Sequence, residues 1–149
     1  MSNISKAFDH GKAFIGFATA GDPDLETSRR VMLEMARGGC DLIEIGIPFS
    51  DPIAEGPVIQ EADLRALSAG ATTDKVFEMT AKLSAETDVP LVYMTYLNVL
   101  FKYGYEKFLK NAKESGVSGV IVPDLPFEEK DELQLSLIHI SEPTRPLYI

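Results

Sequence analysis

Between Asp41 and Gln60 the chain reads DLIEIGIPFSDPIAEGPVIQ, and this stretch limits the fold more tightly than any other. Ile43, Ile45 and Ile47 spell a buried β-strand, yet Glu44 stands inside it. Pro48 ends the strand. A loop rich in proline, glycine and aspartate follows, carrying a second carboxylate, Glu55. A carboxylate within a buried strand is costly unless it is paired or takes up a proton. Glu44 therefore belongs either to a structural ion pair or to acid–base chemistry.

The rest of the chain repeats a strand–helix unit. Residues 3–9 suit a short amphipathic helix using Ile4, Ala7 and Phe8. Ala13 to Thr19 reads as a first strand. Asp22 followed by Pro23 reads as an N-cap with proline at the first helical position. That helix should run to about Arg37 with Val31, Met32, Met35 and Ala36 inward, and Gly38-Gly39 should stop it. A second strand spans Leu42 to Ile47. Helices are expected over Ile59–Ser68, over Asp74–Ala85 behind a Thr73 cap, and over Tyr105–Ser115. The apolar face of the second is Val76, Phe77, Thr80 and Leu83; that of the third is Phe108, Leu109 and Ala112. Leu91–Thr95 and Gly119–Val122 supply the third and fourth strands.

Strands this apolar need cover on both faces, which calls for a parallel sheet under helices. There is also an internal echo. Gly39-Cys40-Asp41 leads into LIEIGIP much as Gly116-Val117-Ser118 leads into GVIVPDLP. Repeated units with polar loops after their strands favour a (β/α)8 TIM barrel, whose active site lies at those loops. The other choice is an open doubly wound sheet, but no GxGxxG follows the first strand. In a barrel, Ile43, Ile45 and Ile47 face the helices, while Leu42, Glu44 and Gly46 line the interior. Gly46 beyond Glu44 would leave space for a bound ring. No expected strand carries a Lys or Arg that could pair with Glu44, which favours chemistry over an ion pair.

Composition narrows the function. The formal net charge of −9 disfavours a nucleic-acid partner. Small anionic substrates stay open, because a nest of backbone N–H groups can override net charge. The single cysteine, Cys40, rules out an internal disulfide and a cysteine-based metal cluster, and its place between a helix end and a strand suits a small buried thiol. The two histidines, His10 and His139, are far apart, so no His-centred triad or metal site is expected. His10 suits the surface. No apolar run nears the roughly 20 residues that would cross a membrane. The N-terminus lacks the apolar core of a signal peptide, so a cytoplasmic location is expected.

From Leu135 the character changes to LSLIHISEPTRPLYI. The run LSLIHISEPTR resembles a translated sequencing-library adapter, and residues 135–149 are expected to be a non-native tail. A full barrel needs about 250 residues. Residues 1–134 with four strands would be the N-terminal half of one domain. Such a half would expose sheet edges and interior, and is expected to be inactive by itself.

The segments FATAGDP (Phe17–Pro23), LIEIGIPFSDPIAEGPVIQEADLRALSAG (Leu42–Gly70), YMTYLNVLFKYG (Tyr93–Gly104) and GVIVPDLPFEE (Gly119–Glu129) strongly resemble the tryptophan synthase alpha chain family. The resemblance covers about Phe14 to Glu132. It implies a (β/α)8 barrel that cleaves indole-3-glycerol phosphate to indole and glyceraldehyde 3-phosphate. It also implies no cofactor in this chain, no metal, and a pyridoxal-phosphate-dependent beta-chain partner in an α2β2 complex. By the same resemblance Glu44 takes the place of the proton-transferring glutamate, and Glu55 that of the second catalytic carboxylate. The family usually has Asp at the second position, so this chain departs by one methylene. Phe17, Met94, Tyr96, Ile121 and Pro123 match the indole pocket, and Asp51, Pro52, Asn98, Asp124 and Pro126 match loops that meet the beta chain. Two other readings remain. One is another phosphate-binding barrel enzyme of aromatic amino-acid biosynthesis, though no expected strand offers the lysine of a ring-closing type. The other is a non-catalytic subunit that only activates its partner.

Overall fold

The computed structural model describes residues 3–52 and 55–125. Pro126 and the expected tail from Leu135 lie outside them. A 3-10 helix (Asn3–Phe8) comes first, followed by β1 (Ile15–Thr19), α1 (Leu25–Arg37), β2 (Leu42–Gly46), α2 (Pro57–Ser68) and α3 (Thr73–Ser84). Then come β3 (Leu91–Met94), α4 (Leu97–Tyr103), α5 (Tyr105–Glu114) and β4 (Gly119–Ile121).

The four strands are parallel and lie in the order β1-β2-β3-β4. Parallel crossovers are right-handed, so an order that advances in one direction sends every connecting helix to the same face. A doubly wound sheet reverses its order and places helices on both faces. The sequential order is that of a barrel, with one face for helices and one for the interior.

The helix side holds the main core. Ile43, Ile45 and Ile47 pack there with Leu91 and Tyr93, against Met32, Leu33, Val76, Leu83, Phe108 and Leu109. Phe77 meets Phe108 and Tyr93 edge-on, with ring centroids 5.2 and 5.6 Å away. The buried Tyr93 hydroxyl shares a hydrogen bond with Ser115 Oγ at 3.0 Å. Each such large side chain contributes about 1.5–3 kcal/mol on leaving water.

The other face is layered by the register. Ile15 and Leu42 form the lowest level, and Phe17, Glu44, Val92 and Gly119 the next. Thr19, Gly46, Met94 and Ile121 form the upper level. The 3-10 helix closes the bottom: Ala7 is buried with Leu42 and Val92, and Ile4 packs beside them. Gly119 leaves the room for this, since a Cβ there would lie 3.2 Å from Ile4 Cδ1.

Several expectations need correction. Asp24, not Asp22, caps α1: its carboxylate accepts from the Thr27 N–H at 2.8 Å and the Thr27 hydroxyl at 2.7 Å. Asp22 instead takes two N–H···O bonds from Arg65, at 2.7 and 2.8 Å. On α1, Val31 is 48 % exposed, and Ser28, Met32 and Leu33 are the buried residues. Ser28 turns inward because its hydroxyl accepts the Gly21 N–H at 2.9 Å. Phe8 is exposed, leaving Ile4 and Ala7 to make the apolar contact. Thr72, one residue earlier than expected, caps α3, accepting from the Lys75 N–H at 3.3 Å. Helix α4 was not expected at all. The echo between the first and second halves holds, since Gly39 and Gly116 both take positive φ, 100° and 90°, at their helix ends.

Candidate active site

The site is built where β1, β2 and β3 present their interior faces and where the loop after β2 folds back over them. Glu44 lies in register between Phe17 of β1 and Val92 of β3. Its neighbours at that level are therefore apolar. The side chain is half-buried, and burial alone pushes its carboxyl above the ordinary glutamate range. The described ion pairs leave Glu44 out: among these residues Arg29, Arg37, Arg65 and Lys110 take other carboxylates. The structural ion pair considered for Glu44 is thus not present among the described residues.

The space above Glu44 differs from expectation. Gly46 does not face an open gap; a Cβ there would lie 2.6 Å from Cζ of Phe17. The Phe17 ring leans from β1 across the missing side chain and forms one wall of the site. Met94 is half-buried at the same level, in register with Gly46 and Ile121. Ile121 is 37 % exposed on the outermost described strand. Pro123 is also exposed, in the turn just beyond it.

Tyr96 is buried directly after β3, its ring 5.5 Å from that of Phe49 and tilted by 35°. Its hydroxyl acts as a hydrogen-bonding neighbour of Glu55. Glu55 is half-buried, and burial raises its carboxyl above the ordinary glutamate range, against the smaller downward pull of the bonds from Tyr96 and Asp63. Oε2 of Glu55 is shielded from solvent with no hydrogen-bond partner among the described residues. Such an oxygen has a bonding capacity that the described residues leave unused.

Asp63 was missed in the sequence. It is 4 % exposed, on the inward side of α2 beside Ala62 and Ala66. Burial and the adjacent Glu55 carboxyl push it up to about 6. Its Oδ2 accepts the Phe49 N–H at 3.5 Å, a long bond. Phe49, also missed, thus touches both sides of the site, by its ring to Tyr96 and by its backbone to Asp63. The sequence of α2 carries little signal for Asp63, since Val58 and Leu64 on the same helix are exposed while Asp63 is buried.

The loop residues divide. Asp51 and Asn98 are exposed, and Pro52 is half-buried. The Asp51 carboxylate accepts the Ser50 hydroxyl at 2.6 Å. Asp124 turns back into the chain: its Oδ1 accepts the Leu97 N–H at 2.8 Å and so caps α4 from the loop after β4. That bond fixes the turn in which Tyr96 sits.

Parallel strands in sequential order, with one carboxylate in the interior and a second on the loop at the strand ends, define part of a (β/α)-barrel protein with two carboxyl groups at its mouth. The chain belongs to the tryptophan synthase alpha chain family, whose model matches residues 4–141. It is 50 % identical over 133 residues to the alpha chain of Lacticaseibacillus casei, covering 89 % of this chain and 50 % of that one. To the alpha chain of Alkaliphilus metalliredigens it is 52 % identical over 132 residues, covering 89 % and 49 %. The chain thus spans about half the length of the curated relatives it matches. Among solved structures, the Legionella pneumophila alpha chain superposes with a TM-score of 0.87 at 37 % identity, over 93 % of this chain and 54 % of that one. A tryptophan synthase α2β2 complex from Pyrococcus furiosus gives 0.80 at 38 % identity, over 85 % and 51 %.

Proposed function

We propose that this chain carries the two acid–base groups of a carbon–carbon lyase that cleaves indole-3-glycerol phosphate to indole and glyceraldehyde 3-phosphate. Glu44, whose apolar level favours the protonated form, donates its proton to indole C3. The ring becomes a cation, so the bond from C3 to the glycerol carbon can break with its electron pair returning to the ring. Glu44, now a carboxylate, takes the proton of the adjacent glycerol hydroxyl as that carbon becomes the aldehyde. The proton count closes on the starting state. Glu55 accepts the indole N–H and stabilises the ring cation. Phe17, Met94, Tyr96, Ile121 and Pro123 would flank the indole.

The observation that carries this reading is the pairing of differently held carboxylates. Burial raises both, but Glu44 has burial alone, whereas Glu55 has donors on one side and, on the other, a buried oxygen with no partner among the described residues. One suits a proton donor and the other an anion that receives a ring N–H.

The proposal extends to the assembly. The partner is a beta chain in an α2β2 complex, met by Asp51, Pro52, Asn98 and Pro126, with Asp124 shaping the same surface through its cap on α4. This chain needs no cofactor; pyridoxal phosphate belongs to the partner. A cytoplasmic location fits that role. The test is Glu44→Gln in a full-length enzyme carrying this sequence. Loss of indole release with beta-chain binding intact supports catalysis. Cleavage at the wild-type rate would sink the assignment and leave only a partner-activating role.

A further inference from the structure

We propose that Asp63 is a positioning residue for Glu55, sharing one proton with it so that Glu55 is held as an anion against Tyr96. This rests on the reading of Glu55 as a catalytic carboxylate and adds a residue which that reading does not use.

The argument starts from what an ionised Asp63 would need. A buried carboxylate requires several good donors or a cation. Asp63 is 4 % exposed, and its described donor is a single backbone N–H, from Phe49, at 3.5 Å. The nearby cation, Arg65, sits on the same helix but is occupied by Asp22 through two short bonds. Among the described residues, the titratable or charged groups that face Asp63 are Glu55 from the loop after β2, Asp22 from the loop after β1 with its Arg65 partner, and Tyr96 beyond Glu55. Two of these are acids, so ionising Asp63 would place like charges together in a shielded pocket.

Burial raises Glu55 too, but Glu55 has donors that Asp63 lacks. Both the Tyr96 hydroxyl and the Asp63 carboxyl can donate to it. One proton between the two acids is thus best held on Asp63 and pointed at Glu55. The midpoint of about 6 for Asp63 agrees with this placement. The backbone geometry also closes on itself. Phe49 gives its N–H to Asp63 and its ring to Tyr96, and both of those residues converge on Glu55. When the shared proton is lost, repulsion drives Glu55 off its donors.

The experiment is a carbon-13 carboxyl titration of the 149-residue chain, alongside pH–rate profiles of a full-length enzyme carrying it. Glu55 and Asp63 are expected to report a common upper midpoint near pH 6. Asp63→Asn, whose amide still donates, should abolish that step for Glu55. It should also remove the matching fall in kcat above it, with KM changed less than twofold. Glu55→Gln should lower the Asp63 midpoint, which keeps the test open if Asp63→Asn fails to fold. Independent titrations with Asp63 near its ordinary value, or an unchanged Asp63 midpoint in Glu55→Gln, would overturn the proposal. An unaltered pH profile in a folded, active Asp63→Asn enzyme would do the same. If a Glu55→Ala enzyme retains full cleavage while the unaltered chain shows the coupled titration, the catalytic reading fails and the proton sharing stands.

Discussion

Phe17 and Gly46 are locked together across the β1–β2 pair: the ring of one occupies the volume that a side chain on the other would need. The strand register puts Glu44 beside Phe17 and Gly46 one level above. The Phe17 ring can form a wall of the site only because Gly46 has no side chain.

Gly46→Ala should expel the ring. A Cβ at 2.6 Å from Cζ cannot be tolerated, so either Phe17 rotates into the interior or β1 and β2 separate. Overpacking of this kind costs about 1–3 kcal/mol. Thermal unfolding should show that loss, and Phe17→Leu combined with Gly46→Ala should recover most of it. Recovery of stability without recovery of cleavage would identify the ring as a wall of the substrate pocket.

Glu44→Gln is expected to stabilise the protein while it disables the site. The folded-state pKa of Glu44 lies above its unfolded value. Stability from this group is therefore full at low pH and is lost as pH rises through the folded pKa. At pH 8 the wild-type chain carries a poorly solvated carboxylate that the amide avoids. The melting temperature of Glu44→Gln should exceed that of the wild type at pH 8, with the gap narrowing toward pH 4. A lower melting temperature at pH 8 would mean the carboxylate has a stabilising partner.

Asp63 gives a second pH signature of the same sign. Its pKa is raised to about 6, so stability should decline as pH rises from about 4 through 6 and then level off. After allowing for solvent screening, the decline from this residue should be on the order of 1–2 kcal/mol. Chemical denaturation across that range should show it, and Asp63→Asn should flatten it.

At the start of α1 the sign reverses. Asp24 is held below the ordinary aspartate range, chiefly by the Thr27 N–H and then by the Thr27 hydroxyl. A depressed folded pKa gives stability that is present above the unfolded value and lost as pH falls through the folded one. Asp24→Ala should lower the melting temperature at neutral pH and have little effect in strong acid. Asp22→Ala should act through Arg65 instead, with an effect that shrinks in high salt.

Much of this was legible because the decisive residues break a pattern. Glu44 interrupts an isoleucine run, and Gly39 and Gly116 punctuate matching helix ends, so the barrel unit could be read directly. The registry of α1 could not. Val31-Met32-Leu33 is apolar throughout, which leaves the phase open until the Ser28 hydroxyl finds the Gly21 N–H. Helix α4 leaves little trace in the sequence because only Leu100 of its seven residues is buried, and its cap comes from Asp124, far along the chain. Asp63 was hidden for a related reason. Val58 and Leu64 of α2 are exposed while Asp63 is buried, so hydrophobicity points to the wrong face of that helix.

The small helix beneath the interior has a consequence for the order of folding. Ile4 rests where Gly119 leaves it room, so the first described element is seated against the last described strand. That contact spans nearly the whole described chain and carries a large loop-closure cost unless the strands between are already paired. The floor is thus laid after the walls. Truncating Ile4 to Ala should speed unfolding far more than it slows folding, a kinetic mark of a contact absent from the transition state.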